Sequence, residues 1–232
     1  MKHFAVFFLC LALLAGCQAS DIRGYWADVP LLEDDLRVSE DRFADFAEKA
    51  VAAPEEDALA AMDLLFDRLT HDAVAYYIYS EWMEAAFYSA LSPCRSPLLY
   101  DKAVERRVAD GIFDTDECEP FLRRREWLQY NREGAKATVP GMSHPDTRTL
   151  VLVLDLSCPS CREALETLAE DAQWNGYKKV AVCLGYGPRP SVPGWEYISS
   201  ENASAVFDIH MTPVYFVLAA DGTVERSYAP VQ

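Results

Sequence analysis

The cysteines of Cys158-Pro159-Ser160-Cys161 have the types and spacing of a dithiol that exchanges with disulfides. In that chemistry a thiolate attacks a sulfur in line to give a mixed disulfide. A second thiol one helical turn later lies close enough to displace the product. The flanking residues say where the pair must sit. Upstream, Thr149 to Leu156 is a short apolar run of the kind that makes a buried strand. Downstream, Arg162 to Glu170 is rich in helix formers, with Leu165 and Leu168 on one face. The first thiol is therefore predicted at a helix N-terminus, where unpaired amides and the helix dipole favour its ionised form. Pro159 fixes the turn and removes an amide that would have no helical partner. Ser160 either donates a hydrogen bond to a sulfur or faces water.

The elements around the dithiol follow from the same patterns. Lys178 to Leu184 is a second apolar run after the Cys158 helix, which predicts a β-α-β unit. Residues 185–194 hold three glycines and three prolines and must form a loop. Two further strand-like runs, Val214 to Leu218 and Thr223 to Tyr228, flank Asp221-Gly222, a hairpin turn signal. Before about residue 131 the chain reads as helices. Leu36, Phe43, Phe46, Ala47, Ala50 and Val51 keep a helical period, and Leu59, Met62, Phe66 and Leu69 do so after Pro54. Residues 74–89 are dense in aromatics, which reads as helix-packing core in preference to a ligand box. Pro93 and Pro97 interrupt this run, residues 98–108 resume it, and residues 121–130 make the last helix. Arg123, Arg124 and Arg125 there read as a solvated face.

The N-terminus carries a second pattern. Lys2, the apolar run Phe4 to Ala15 and Leu14-Ala15-Gly16-Cys17 resemble a bacterial lipoprotein signal. The apolar run is too short to span a bilayer. The resemblance implies cleavage after residue 16, lipid on Cys17 and attachment to an envelope membrane. The organisation expected is a signal peptide (1–16), a tether (17–32), an all-α domain (33–131) and an α/β domain (132–232). Loss of residues 1–16 removes Lys2 and leaves 37 acidic residues against 20 basic ones. No basic stripe is present to neutralise phosphates, so nucleic acid is not an expected partner. Hydrophobic residues at 51% and aromatics at 12% place the chain among globular proteins with a buried core.

Strand, C-x-x-C, helix, strand and terminal hairpin, in that order, resemble a thioredoxin-like domain of the redoxin or TlpA type over residues 149–228. The resemblance implies that Cys158 attacks, Cys161 resolves and Pro213, in Met211-Thr212-Pro213-Val214-Tyr215, is the family's cis-proline. The Thr212 backbone would then face the dithiol and pair with an extended substrate strand. Residues 92–100 with 126–134 resemble a helical domain of unknown function that precedes thioredoxin-like domains in envelope lipoproteins of gut-type anaerobes. Two positions depart from the pattern: Ser157 stands where many relatives carry tryptophan, and Leu152 where thioredoxins carry a buried acid. Asp155 either moves protons for Cys161 or turns outward at the strand end. The sequence shows no helix after the hairpin, so residues 33–131 are expected to cover the bare sheet face.

No cofactor beyond the redox-active dithiol is implied, and no metal. His210 and His144 could join a C-x-x-C metal site, but copper-delivering relatives space their cysteines by three residues. Cys183 reads as core, and Cys94 and Cys118 as a disulfide or as two buried thiols. Two function classes remain at this point. One is a thiol–disulfide oxidoreductase whose partners are envelope proteins with disulfides or thiols. The other is a lipid-anchored binding or scaffold protein that keeps the thioredoxin-like module without redox turnover.

Overall fold

The computed structural model describes residues 22–231 apart from 144, 200 and 201. The expected signal peptide (residues 1–16), Cys17 and His144 lie outside the described residues. Contacts divide the chain into two compact units, Met1–Met83 and Glu84–Gln232. The division falls within the helical stretch, whereas the sequence pattern changes near residue 131.

In the first unit, α1 (Leu36–Ala52), α2 (Glu55–Leu69) and α3 (Ala73–Met83) carry the expected apolar faces. The Asp35 carboxylate caps α1 by accepting from the Arg37 amide, and Glu55, Glu56 and Asp57 complement the dipole of α2. Phe43, Phe46, Ala47 and Ala50 are buried, while Leu36 and Val51, at the ends of α1, are exposed. The aromatic density of α3 is packing, since Tyr76 and Tyr79 are fully buried. The expectation of a tether over residues 17–32 is corrected for its described part. Ile22 and Trp26 are buried, and Trp26 sits 5.2 Å from the Phe46 ring and 5.6 Å from that of Tyr79. Arg68 donates to the carbonyls of Trp26 and Val29, and Tyr79 donates to that of Leu31. This segment is held by side chains reaching its backbone, a device that leaves no periodic trace.

The second unit opens with a π-helical turn, Glu84–Tyr88, followed by α4 (Pro97–Asp110) and α5 (Thr115–Trp127). Ser96 caps α4, and Gly111 ends it at φ +65°. An Asp114/Glu117 capping box starts α5 six residues before the expected position, and Pro120 lies inside the helix. Then come β1 (Thr149–Asp155), α6 (Pro159–Glu170), β2 (Lys178–Leu184), β3 (Trp195–Ser199), β4 (Val214–Leu218) and β5 (Val224–Pro230). The sheet order is β3-β2-β1-β4-β5. β1, β2 and β3 are parallel, and β4 and β5 antiparallel. β3 has no counterpart in the sequence reading.

Each sheet face has its own cover. Leu150, Leu152, Leu154, Ala181 and Val217 pack with Cys161, Leu165 and Leu168 of α6. On the other face Val151, Val153 and Phe216 are buried, and Phe216 stacks on Phe207 and Tyr228. The helical stretch after Met83 meets this side of the sheet. Tyr88 donates to Asp208 at 2.8 Å, Trp127 donates to the Ser204 carbonyl at 3.2 Å, and Tyr228 donates to the Trp127 carbonyl at 3.0 Å. Burial and the Asp208 carboxylate both hold the Tyr88 hydroxyl in its protonated, donating form. The expected cover of the second face is thus supplied, within this unit, by residues 84–131.

Candidate active site

β1 and β2 run parallel and end together, Asp155 opposite Leu184, so the loops that follow them emerge side by side. The first loop leads into α6. There the Cys158 amide donates to the Asp155 carbonyl at 3.1 Å, and the Asp155 carboxylate accepts from the Ser157 amide and hydroxyl, both at 2.9 Å. These bonds fix the turn that presents Cys158 at the N-cap of α6, with Pro159 at the first helical position. Cys158 is partly exposed, whereas Cys161, one turn on, is 1% exposed among Leu154, Leu165 and Cys183.

The two thiols are driven apart in acidity. The Ser160 hydroxyl, 2.9 Å from the Cys158 sulfur, is the largest influence lowering that thiol below its ordinary range. The Cys161 thiol and the amides of Ser160 and Cys161 add to it, against the opposing effect of burial. Burial pushes Cys161 up to about 11, and the neighbouring Cys158 raises it further. The Asp155 amide, 3.3 Å from the Cys161 sulfur, and the adjacent Thr212 hydroxyl favour its thiolate. The arrangement supplies an accessible, readily ionised thiol backed by a buried, protonated one.

Of the residues singled out by sequence, Cys158, Cys161 and Thr212 come together. The Thr212–Pro213 peptide is cis, at the entry to β4. Asp155 takes part through two different groups. Its amide reaches Cys161, while its carboxylate accepts from the Ser157 amide and hydroxyl. His210 is exposed, and no group of three or more His, Cys, Asp or Glu side chains converges as a metal site among the described residues. Cys94 and Cys118 are buried and not joined to each other.

Sequence reading missed Gly185 and Gly187. A Cβ on Gly185, which has φ +68°, would lie 2.7 Å from Asp155 Oδ1. A Cβ on Gly187 would lie 3.0 Å from the Leu156 carbonyl oxygen. Both glycines let the second loop close against the turn that holds Cys158. The signal was available, because a loop following a strand parallel to β1 has to flank the loop after β1. Ser160→Ala tests the electrostatics of the pair. It should slow alkylation of reduced Cys158 at pH 7 by about three- to tenfold, the scale of one ordinary hydrogen bond's net contribution of about 0.5–1.5 kcal/mol. Competitive alkylation followed by mass spectrometry reads this directly.

No family model matches the chain, and no curated protein does. Among solved structures, a thioredoxin-like protein from Bacteroides caccae ATCC 43185 aligns with a TM-score of 0.70 at 18% identity. The alignment covers 91% of this chain and 88% of that one. That likeness establishes the fold, a helical N-terminal region followed by an α/β thioredoxin-like domain.

Proposed function

We propose that this protein is a thiol–disulfide oxidoreductase of the cell envelope that reduces disulfides in other envelope proteins. The observation that carries the proposal is the opposed ionisation of two neighbouring thiols, Cys158 accessible and Cys161 buried. In this reading the Cys158 thiolate attacks one sulfur of a substrate disulfide. The S–S bond breaks, the other substrate sulfur leaves as a thiolate and takes up a proton, and a mixed disulfide remains. Cys161 then loses its proton and attacks the Cys158 sulfur, releasing the second substrate thiol and leaving a Cys158–Cys161 disulfide. Two electrons pass to the substrate, and an external dithiol restores the pair. The Thr212 backbone, next to the cis-proline, is the proposed docking edge for the substrate chain.

The test is a Cys161→Ser variant expressed in the native envelope and recovered after acid quenching. Mixed disulfides should accumulate through Cys158, and a Cys158→Ser/Cys161→Ser control should trap none. Equal recovery of partners with both variants would instead support the binding or scaffold reading. Lipid on Cys17 is part of the proposal, resting on Leu14-Ala15-Gly16-Cys17 after a short apolar run. Cys17→Ala should lose membrane association or remain unprocessed. A soluble wild-type protein with an unmodified Cys17 thiol would contradict it.

A further inference from the structure

A groove of about 580 Å³ opens in the second unit, between the N-terminus of α4, the turn after α5, and Ser227-Tyr228 of β5. Its volume is in the range of small-molecule sites. The charged groups around it are unequally satisfied. The Asp101 carboxylate pairs with Arg125 at 2.5 Å, and Glu133 accepts from the Ser227 amide at 3.2 Å. Arg95 makes no ion pair or side-chain hydrogen bond of this kind among the described residues, and the Glu133 carboxylate acts on it only at longer range. Its guanidinium carbon lies 4.8 Å from the Tyr228 ring centroid, and its Nε is enclosed with no hydrogen-bond acceptor. Burial lowers the pKa of this guanidinium, and the opposing influence of Tyr228, Tyr88 and the Glu133 carboxylate only partly offsets the loss of water. Arg132, which also lines the groove, donates from Nε to the Leu128 carbonyl at 3.2 Å and makes no ion pair among the described residues.

The backbone is held in place at both arginines. Tyr228, which stacks on Arg95, sits at φ +47°, a left-handed conformation that an aromatic residue rarely adopts. Its hydroxyl is anchored on the Trp127 carbonyl. Asn131, just before Arg132, is also left-handed at φ +53° and is pinned by two hydrogen bonds to the Thr138 backbone, 2.7 and 3.1 Å long. Local strain that the surroundings hold in place is common at ligand sites. The amino end of α4 adds a positive dipole on the same side. Pro97, Leu98 and Leu128 supply an apolar wall.

We propose that this groove binds a small organic monoanion, a carboxylate carried on an apolar body. Arg95 takes the carboxylate, Arg132 adds a second positive charge, and the apolar part lies along Leu98 and Leu128. A planar guanidinium stacked on an aromatic ring leaves its N–H edge free for bidentate pairing with a carboxylate. Asp101 and Glu133 disfavour a second negative charge, so a phosphate dianion fits less well. The carboxylate could belong to a free acid or to the C-terminus of a peptide, and the test separates these sources.

Calorimetric titration of the full-length protein at pH 7 should show saturable binding of 3-phenylpropanoate, with 3-phenylpropanamide at least tenfold weaker. A tetrapeptide ending in phenylalanine, with a free or an amidated C-terminus, makes the second pair of probes. Tighter binding of the free-terminus peptide than of 3-phenylpropanoate assigns the site to a chain terminus, and the reverse order assigns it to a small-molecule acid. Arg95→Gln should cut affinity for the better acid at least tenfold. Leu98→Glu should do the same, and Leu98 is 39% exposed, so this variant should fold even if Arg95→Gln does not. The proposal is overturned if neither acid saturates, if acid and amide bind equally, or if Leu98→Glu leaves binding unchanged in a protein that still unfolds cooperatively.

Discussion

Cys158→Ser should reduce disulfide exchange by at least about a thousandfold, because a serine hydroxyl does not ionise near neutral pH and loss of a nucleophile costs orders of magnitude. Cys161→Ser should behave differently, since it removes the resolving step and leaves the first attack intact. The pH profile carries the sign of the two shifts. Attack by Cys158 gains thiolate as pH rises through a pKa lowered chiefly by Ser160, so it becomes effective at a lower pH than attack by an ordinary cysteine. Resolution requires Cys161 to lose a proton from a pKa raised to about 11, mainly by burial, so turnover should keep rising with pH above 7. The rise should level off at a lower pH than the free protein implies, because the Cys158 charge that adds to this shift disappears in the mixed disulfide. Stopped-flow reduction of a model disulfide from pH 6 to 10 measures both limbs. A profile that is flat above pH 7 would contradict the assignment of Cys161 as the resolving thiol.

Trp26→Ala should destabilise the first unit by about 3–5 kcal/mol, the range for deleting a large buried aromatic. Trp26 is fully buried, and its ring meets those of Tyr25, Phe46 and Tyr79. Its removal opens a cavity where the 22–31 segment crosses α1 and α3, and the Arg68 bonds to that segment lose their anchor. Urea unfolding followed by circular dichroism reads the change. A loss below about 1 kcal/mol would mean that residues 22–31 act as a tether after all.

The parts of the fold that came through from the sequence are those where pattern and burial coincide. β1 is a continuous apolar run because both of its faces are covered, and α6 shows its period because one stripe, Cys161, Ala164, Leu165 and Leu168, is buried. Gly222 marks the β4–β5 turn, at φ +80°. β3 left no such trace. It is a five-residue edge strand in which Trp195 and Ile198 alone are buried, and its flanking loop reads as part of the same irregular stretch. The start of α5 was hidden by Pro120, whose cost inside a helix is borne here by the capping box ahead of it. The place of Cys158 and Cys161 at a strand-to-helix corner was legible from spacing and neighbours, and the cis Thr212–Pro213 peptide from the family resemblance. Ser160 was left between a sulfur and water, and Gly185 and Gly187 were seen only as loop residues, since each role depends on distances across the site that no local pattern encodes.

An oxidoreductase of this kind requires Cys158 and Cys161 to act as one reversible redox couple. Equilibrating the full-length protein across a series of glutathione ratios, followed by acid quenching, alkylation and peptide mass spectrometry, measures this directly. The predicted result is a single two-electron transition in which a Cys158–Cys161 disulfide replaces two alkylated thiols while Cys183 stays reduced. If Cys158 and Cys161 remain separately alkylated at every ratio, or if the disulfide that forms joins Cys158 to another cysteine, the oxidoreductase reading is contradicted.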